Sequence, residues 1–254
     1  MKLERISKHV YVNVHSNTGG NVGVIVFSDS AAAVDSQYPV SGADFRRSII
    51  SITPKPVTHL LLTHYHPDHV FGNQAFEDCK IVAHRLTKKR MEENLRTIWA
   101  PGNLEKEIEE INKYRSEIAS LFEGLRIVLP TITFGKFFRL NDVVMIHMGG
   151  HTLDSTVIHV KRDRVLFAGD LVFPPDKELQ WAGDPSADPD AWIKALEKIL
   201  TMDVEKIVPG HGPVCDKSVV EAQLAWFKTI REKIAEQVNR AKSWKLFKDA
   251  LREN

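Results

Sequence analysis

Short apolar segments separated by polar turns recur through the first part of the chain. Val10–Val14 alternates between apolar and polar positions, whereas Val22–Phe27 and Ala31–Val34 are almost continuously apolar. Segments of this length and composition are typical of β-strands. Apolar residues at helical spacing then occupy Ala43–Ile52, and this segment ends just before Pro54, so we predict a helix there.

The rest of the chain continues this order of strands and helices. The further predicted strands are His59–Leu62, Ile81–Ala83, Thr131–Phe134, Val143–His147, Thr156–Val160, Arg164–Ala168 and Lys206–Val208. Predicted helices begin near His69 and cover about Pro189–Leu200 and about Ser218–Leu251. Two successive halves of this kind predict an α/β sandwich with helices outside two packed sheets, in one domain that spans residues 1–254.

Residues 86–125 differ from both halves of the predicted sandwich. They combine many Glu, Lys and Arg residues with apolar residues at helical spacing, and Pro101-Gly102 divides them. This pattern predicts a helical insert of two helices joined by a bend, with one face packed on the sandwich and one face in water.

Composition and charge narrow the class of protein. The chain is 43% hydrophobic, which is enough for a sizeable core, and its formal net charge is +1, so neither nucleic acid nor an anionic membrane is indicated as a partner. No apolar run approaches a membrane span, and the N-terminal residues lack an apolar signal core, so we expect a cytoplasmic protein. Cys79 and Cys215 are expected to be reduced thiols rather than one disulfide.

The strongest chemical signal follows the predicted strand His59–Leu62. The segment Thr63-His64-Tyr65-His66-Pro67-Asp68-His69 contains four potential metal ligands directly after an apolar strand. Pro67 interrupts regular strand structure, so the motif is expected to be a loop whose side chains converge. Imidazole and carboxylate are the ligands that zinc and similar first-row ions prefer. A chance histidine-rich surface loop explains this spacing less well.

Three further candidate ligands share one local pattern, in which an apolar strand is followed by glycine and then by the ligand. They are His151 after Gly149-Gly150, Asp170 after Gly169, and His211 after Pro209-Gly210. Glycine lets the chain turn sharply and approach an ion closely. Ligands at four strand ends therefore predict one metal-binding edge of the sandwich. The histidines in or beside other strands, such as His84 and His147, are interpreted as structural.

Together these motifs resemble the metallo-β-lactamase-fold hydrolase superfamily over nearly the whole chain. The resemblance implies a four-layer αββα sandwich with two metals at one edge, zinc by preference, with iron or manganese as alternatives. Carried over by position, His64, His66 and His151 would hold the first metal, Asp68, His69 and His211 the second, and Asp170 would bridge both. Asp35, which ends the strand Ala31–Val34, would orient the metal loop.

Several departures from subfamily patterns limit what the resemblance implies about the substrate. An aspartate, Asp170, stands where several β-lactamases of this fold have cysteine, and Phe173 stands near the position of a lactonase tyrosine. The stretch Gly150-His151-Thr152-Leu153-Asp154-Ser155 matches hydroxyacylglutathione hydrolases only as far as Thr152. The motifs look most like poorly characterised members associated with quinoprotein or sulfur-oxidation operons, which define no substrate.

The expected activity is metal-dependent hydrolysis of an ester, thioester, lactone or amide bond in a small molecule. Two metals would supply hydroxide at neutral pH, and Asp68 or Asp170 would orient it as the catalytic carboxylate. The alternatives are a mononuclear iron enzyme of the persulfide dioxygenase kind, a phosphodiesterase or nuclease of the same fold, and a non-catalytic binding module.

Two features bear on substrate entry. The helical insert, residues 86–125, begins shortly after the metal motif, so it is expected to form a lid over the metal edge. The alternatives are a contact within a homodimer and a decoration remote from the site. Trp99, Phe173 and Trp181 are candidates for the wall of a substrate pocket, although core or surface positions are equally compatible with their surroundings.

Overall fold

Two β-sheets form the centre of the protein, which we describe from a computed structural model for residues 1–15, 19–174 and 184–252. The first sheet has seven strands, β1–β7, in chain order: Glu4–Arg5, Val10–Asn13, Val22–Val26, Ala31–Val34, Val57–Leu61, Lys80–His84 and Ile132–Phe134. The pairs β1-β2, β2-β3 and β3-β4 are antiparallel, whereas the pairs β4-β5, β5-β6 and β6-β7 are parallel.

The second sheet has five strands in the order β12-β11-β10-β9-β8. Their bounds are β8 Phe137–Leu140, β9 Val143–His147, β10 Thr156–Val160, β11 Val165–Gly169 and β12 Lys206–Pro209. The strands β8 to β11 pair antiparallel, and β12 is parallel to β11. This arrangement brings the ends of β9, β11 and β12, each followed by a candidate ligand, to the metal edge.

Helices connect the strands and cover both sheets. Their bounds are α1 Pro39–Ile49, α2 Pro67–Val70, α3 Arg85–Leu95, α4 Asn103–Tyr114, α5 Ser116–Ala119, α6 Pro189–Thr201 and α7 Lys217–Arg252. A 3-10 helix continues α2 from Phe71 to Phe76, and another follows α5. Among the described residues, no helix has both the length and the apolar character needed to cross a membrane.

Three apolar layers divide the molecule. In β4, Ala31 and Ala33 face the layer beneath α1 and α3, whereas Ala32 and Val34 face the layer between the two sheets. This alternation follows from the two-residue period of a strand. The third layer lies between the second sheet and the helices α6 and α7, around the buried Trp192. Helices therefore lie outside two packed sheets, and the predicted four-layer αββα sandwich is confirmed.

The structure differs from the predicted elements at several places. The strands β1 and β8 were not predicted because β1 has only two residues and β8, Phe-Phe-Arg-Leu, has no clear alternation. The helix α1 begins at Pro39 rather than Ala43, because proline is well tolerated in the first turn of a helix. The insert contains a third, short helix, α5, besides α3 and α4. As predicted, Pro101-Gly102 lies in the break between α3 and α4, although α3 already ends at Leu95.

The insert is attached to the sandwich mainly through a few apolar side chains. None of the residues of α4 is buried, and Leu104, Ile108 and Ile111 pack against the layer beneath α1. Trp99 is buried, with its ring centroid 4.9 Å from that of Phe71. Trp99 therefore joins the insert to the core rather than lying on an open surface.

We expect Trp99→Ala to destabilise the protein strongly. Removing a large buried aromatic side chain typically costs about 3–5 kcal/mol, because contacts are lost and a cavity remains. Urea unfolding measures the loss, and Tyr114→Ala, in the same insert but 84% exposed, is the matched control with an expected change near zero. Equal stability of the two variants would show that Trp99 does not anchor the insert.

Candidate metal centre

The loop that follows β5 carries four of the seven candidate ligands. The strand ends at Leu61, and the backbone amide of Leu62 still donates to the carbonyl of Val82 in β6. The loop therefore begins in the buried part of the sheet, at its edge. His66 has an extended backbone, and Pro67 starts the one-turn helix α2. The extended residue and the helical turn direct the side chains of this loop toward a common point.

The other three candidate ligands approach from the second sheet. His151 follows β9, Asp170 follows β11, and His211 follows β12. Gly169, immediately before Asp170, has a φ of +52° and an added Cβ there would lie 2.9 Å from the Thr63 side chain. A glycine at this position therefore permits both the left-handed turn and the close contact with the histidine loop.

The structure brings all seven candidate ligands together in two adjacent groups. Within each group, the potential ligand atoms lie within 4.8 Å of one another. The first group is His64, His66, His151 and Asp170, and the second is Asp68, His69 and His211. The grouping agrees with the division implied by the family resemblance.

Asp170 lies between the two groups, with one carboxylate oxygen toward each. Its Oδ2 is 3.6 Å from His64 Nε2 and 3.4 Å from His151 Nε2. Its Oδ1 is 3.3 Å from His69 Nε2 and 3.6 Å from His211 Nε2. One carboxylate thus faces four imidazole nitrogens, two from each group.

The donor set fits two metal ions of the zinc type. Among the described residues, His64 Nε2, His69 Nε2 and Asp170 Oδ1 are buried without a hydrogen-bond partner. Leaving such atoms unpaired in a protein interior is costly, and a metal ion between them would satisfy them. Imidazole nitrogens and carboxylate oxygens are also the usual ligands of zinc. These residues can therefore hold metal ions on chemical grounds.

Asp35 supports the second group from beneath. Its Oδ2 accepts hydrogen bonds from His69 Nδ1 at 2.8 Å and from Thr63 Oγ1 at 2.7 Å, and its Oδ1 accepts one from the Thr63 backbone amide. The bond to Nδ1 leaves His69 Nε2 free to face Asp170. The role expected for Asp35, orientation of the metal loop, agrees with this geometry.

Charge and burial set the pKa values of the ligands in the metal-free protein. Burial alone would lower the pKa of His69, but Asp68, Asp170 and Asp35 outweigh it and hold that pKa above its ordinary value. Burial lowers the pKa of His151 to about 4, because Asp170 compensates only in part. Burial would raise the pKa of Asp170, yet the surrounding imidazoles keep it lowered, so this residue is a carboxylate.

Exposure shows from which side a substrate can approach. The side chains of His64, His69, His151 and Asp170 are buried. Asp68, His66 and His211 retain 19%, 22% and 26% side-chain exposure, respectively. The open side of the centre is therefore the side on which these three ligands lie.

Asp184 was not among the sequence-predicted site residues, although it contacts one of them. Its Oδ2 accepts hydrogen bonds from His66 Nε2 at 2.8 Å and from the Tyr65 hydroxyl, and its Oδ1 accepts from Ser186. Burial opposes ionisation of Asp184, but these hydrogen bonds outweigh it and lower its pKa. Because His66 and Asp184 are 118 positions apart, no local motif marks the contact.

The aromatic residues proposed for the pocket wall have different positions. Phe173 is buried in the third apolar layer, with its ring centroid 6.0 Å from that of His151, and Trp99 belongs to the core beneath the insert. Trp181 lies outside the described residues. A cavity between α3 and the His151 loop is lined by Tyr65, Leu86, Lys89, Arg90, Glu93, Leu153, Asp154 and Ser186. The insert therefore reaches the surroundings of the metal loop through α3, while its role as a lid stays a prediction.

We expect Asp35→Asn to weaken metal binding without unfolding the protein. Asp35 has a φ of +53°, which asparagine tolerates, but asparagine has only one acceptor oxygen, so its NH2 group would face one of the donors that the two carboxylate oxygens now accept from. Loss of such a supporting group typically costs about 10–100-fold in metal affinity. Competition for zinc with a coloured chelator measures this change. Asp29→Asn, on the surface, is the control, and unchanged affinity in Asp35→Asn would contradict the orienting role.

Comparison with known proteins identifies the family. The sequence profile of the metallo-beta-lactamase superfamily matches residues 16–211, which is most of the chain. The protein therefore belongs to the metallo-beta-lactamase superfamily, and the resemblance seen in its motifs is confirmed at that level. The finer resemblance to members associated with quinoprotein or sulfur-oxidation operons stays a prediction.

Individual relatives are distant. The chain is 24% identical over 225 residues to a linear primary-alkylsulfatase from Pseudomonas sp., which covers 79% of this chain and 42% of the relative. It is 24% identical over 173 residues to a beta-lactamase-like protein 2 homolog from Caenorhabditis elegans, a match that covers 68% of this chain and 48% of the relative. An acyl-coenzyme A thioesterase from Gallus gallus is 21% identical over 170 residues, with 62% and 57% covered. The chain thus spans about half the length of these relatives.

Solved structures show the same fold at low sequence identity. The metallo-beta-lactamase DIM-1 superposes with a TM-score of 0.69 at 18% identity, covering 90% of this chain and 97% of that one. A metallo-beta-lactamase from Pontibacter korlensis superposes with a TM-score of 0.67 at 20% identity, with 89% and 98% covered. At these identities the likeness concerns the fold alone.

Proposed function

We propose that this protein is a metal-dependent hydrolase that uses two metal ions, preferably zinc, to cleave an ester, thioester, lactone or amide bond of a small molecule. The observation that carries the proposal is the position of Asp170 between two groups of histidines, with one oxygen toward each. A carboxylate in this position offsets the repulsion between two cations, which a single-metal enzyme does not need.

The assignment of ligands follows the two groups. His64, His66 and His151 would hold one metal, Asp68, His69 and His211 the other, and Asp170 would contact both. Zinc ions held by these residues would supply hydroxide at neutral pH and polarise the substrate oxygen.

The chain's own carboxylates would then direct the reaction. Asp68 Oδ2 lies 3.1 Å from His211 Nε2 on the open side of the centre, where it can orient the attacking water and accept its proton. Asp170 is more deeply buried and is surrounded by imidazoles, so its proposed role is to keep the two groups of ligands at a fixed distance from each other. Within this proposal Asp68 is the catalytic acid–base residue, and Asp170 contributes through the metals.

The chemistry of the relatives supports this class of substrate without defining it. Two relatives are named as a linear primary-alkylsulfatase and an acyl-coenzyme A thioesterase, so their names describe cleavage of a sulfate ester and of a thioester. A net charge of +1 gives no support to a polynucleotide substrate, so a small molecule is the proposed partner. A homodimer and a cytoplasmic location stay predictions.

Metal analysis and a substrate panel test the proposal. Protein purified without chelator is expected to contain about two zinc ions per chain, and a single iron would favour the persulfide dioxygenase alternative and overturn the hydrolase. The panel contains an aryl acetate, an acyl-coenzyme A thioester, a lactone, an amide, an aryl sulfate and a bis-aryl phosphodiester. We expect turnover in one of the first four classes that Asp68→Ala abolishes. Turnover of the phosphodiester alone would favour a phosphodiesterase.

A further inference from the structure

We propose that Tyr65 and Arg90 are positioning residues that connect the helical insert to the candidate ligand His66 through Asp184. This inference rests on the proposed metal site and extends it to residues outside the seven candidate ligands.

The first contact in the connection lies at Asp184. Its Oδ2 accepts from both His66 Nε2 and the Tyr65 hydroxyl, while its other oxygen is held by the backbone amide and hydroxyl of Ser186. The bond at Nε2 leaves His66 Nδ1 facing the centre, 3.2 Å from His151 Nε2. The tautomer and ring orientation of His66 therefore depend on where the Asp184 carboxylate is held.

The second contact fixes Tyr65. Its side chain is buried, with the ring centroid 4.9 Å from that of His66 and 6.5 Å from that of Trp99. The ring thus stands between the metal loop and the insert. Its hydroxyl is directed at Asp184, so a shift of the ring would move a hydrogen-bond donor of that carboxylate.

The third contact comes from α3 of the insert. The guanidinium carbon of Arg90 lies 5.5 Å from the centroid of the Tyr65 ring, within the range of a cation–π interaction. Arg90 also forms an ion pair with Glu93 one turn further along the helix. Helix α3 therefore contacts the face of the Tyr65 ring, and the hydroxyl of that ring bonds to Asp184. Tyr65 and Arg90 both line the adjacent cavity.

This placement distinguishes positioning from substrate binding. Tyr65 and Arg90 both line the cavity, so they could instead contact a substrate directly. A positioning role predicts a change in metal affinity with no substrate present. Direct substrate binding predicts a higher KM with unchanged metal affinity.

Zinc competition against a coloured chelator provides the test, with Tyr65→Phe, Arg90→Met and the double variant. Tyr65→Phe is expected to lower the affinity for one of the two zinc ions about tenfold, because the Asp184 carboxylate that orients His66 loses a hydrogen bond. Arg90→Met is expected to weaken zinc binding about threefold in the wild-type background and not at all in Tyr65→Phe, because Arg90 acts through the ring hydroxyl, which phenylalanine lacks. The matched controls are Lys89→Met, the neighbouring residue on the same helix and cavity, and Tyr114→Phe, which is exposed.

A second readout follows His66 itself. In the zinc-loaded, nitrogen-15-labelled protein, the proton on His66 Nε2 should give a slowly exchanging imidazole resonance, identified by its loss in His66→Ala. Tyr65→Phe is expected to speed its exchange, whereas Lys89→Met is not.

The possible results separate this inference from the proposed function. Wild-type zinc affinity in Tyr65→Phe, additive effects in the double variant, or a raised KM with unchanged zinc affinity would each overturn the connection. If the wild-type protein binds zinc but cleaves no compound of the panel, the proposed hydrolase function is wrong. The positioning role of Tyr65 and Arg90 is then judged by the zinc affinities alone. Failure of the wild-type protein to bind any metal would overturn both.

Discussion

Replacing Asp170 by alanine is expected to abolish most of the hydrolytic activity and to release at least one metal ion, while the fold is retained. The carboxylate faces two imidazole nitrogens through each of its oxygens. In the proposed two-metal site its loss would therefore remove the shared ligand and the negative charge between the two cations. Loss of a residue that only orients a metal ligand typically lowers metal affinity or activity about 10–100-fold. Because Asp170 is proposed as a ligand itself, we expect kcat/KM to fall by more than about 100-fold.

The fold should survive this substitution because Asp170 lies at the end of β11 rather than inside an apolar layer. Circular dichroism and thermal unfolding of the metal-free protein check this point, and elemental analysis counts the metals. Asp29→Ala, an exposed aspartate in a turn, is the control for the loss of one carboxylate. Two fully retained metals together with wild-type kcat/KM would remove Asp170 from the centre.

A second large effect is expected from Gly210→Ala, which changes no ligand atom. A Cβ at Gly210 would lie 1.7 Å from Asp170 Oδ1 and 2.9 Å from the Asp170 backbone nitrogen. Neither atom can move freely, because Gly210 N also donates to the carbonyl of Gly169 at 2.7 Å. The substitution must therefore displace Asp170, or the turn that carries His211, or both.

We expect Gly210→Ala to lose at least one metal and more than about 100-fold in kcat/KM, and to lose about 1–3 kcal/mol of stability from overpacking. The matched control is Gly135→Ala, where a Cβ would meet no atom within 4 Å. Metal analysis, steady-state kinetics and urea unfolding of the two variants are compared with the wild type. If Gly210→Ala kept both metals and full activity, the close packing of this turn on Asp170 would not be needed for the centre.

The sequence predicted the parts of the centre that are local. The segment from Thr63 to His69 and the glycine-ligand pairs before His151, Asp170 and His211 are visible because each is set by a strand end followed by a turn. The strands themselves were predictable where an apolar period was clear. The two that were missed, β1 and β8, are edge strands, each paired with one neighbouring strand, and their short sequences show no clear apolar period.

The supporting contacts could not be predicted because their partners are distant along the chain. Asp184 reaches His66 across 118 positions, and its own neighbourhood, Gly-Asp-Pro-Ser, resembles an ordinary turn. Asp35 was predicted only through the family resemblance, and its bonds to Thr63 and His69 depend on the parallel pairing of β4 with β5.

The sequence by itself predicted an α/β sandwich with helices outside two packed sheets and the seven residues of the candidate centre, because apolar periodicity and turn residues are properties of neighbouring positions. The four-layer αββα order came from the family resemblance of the motifs. The tertiary structure alone decided that Asp184 bonds to His66 and that Trp99 lies in the core, and it supplied the distances at which Asp170 faces both groups of histidines. These features depend on how two sheets and an insert pack together. Packing brings side chains within bonding distance with no trace in the local pattern, so only the folded chain shows it.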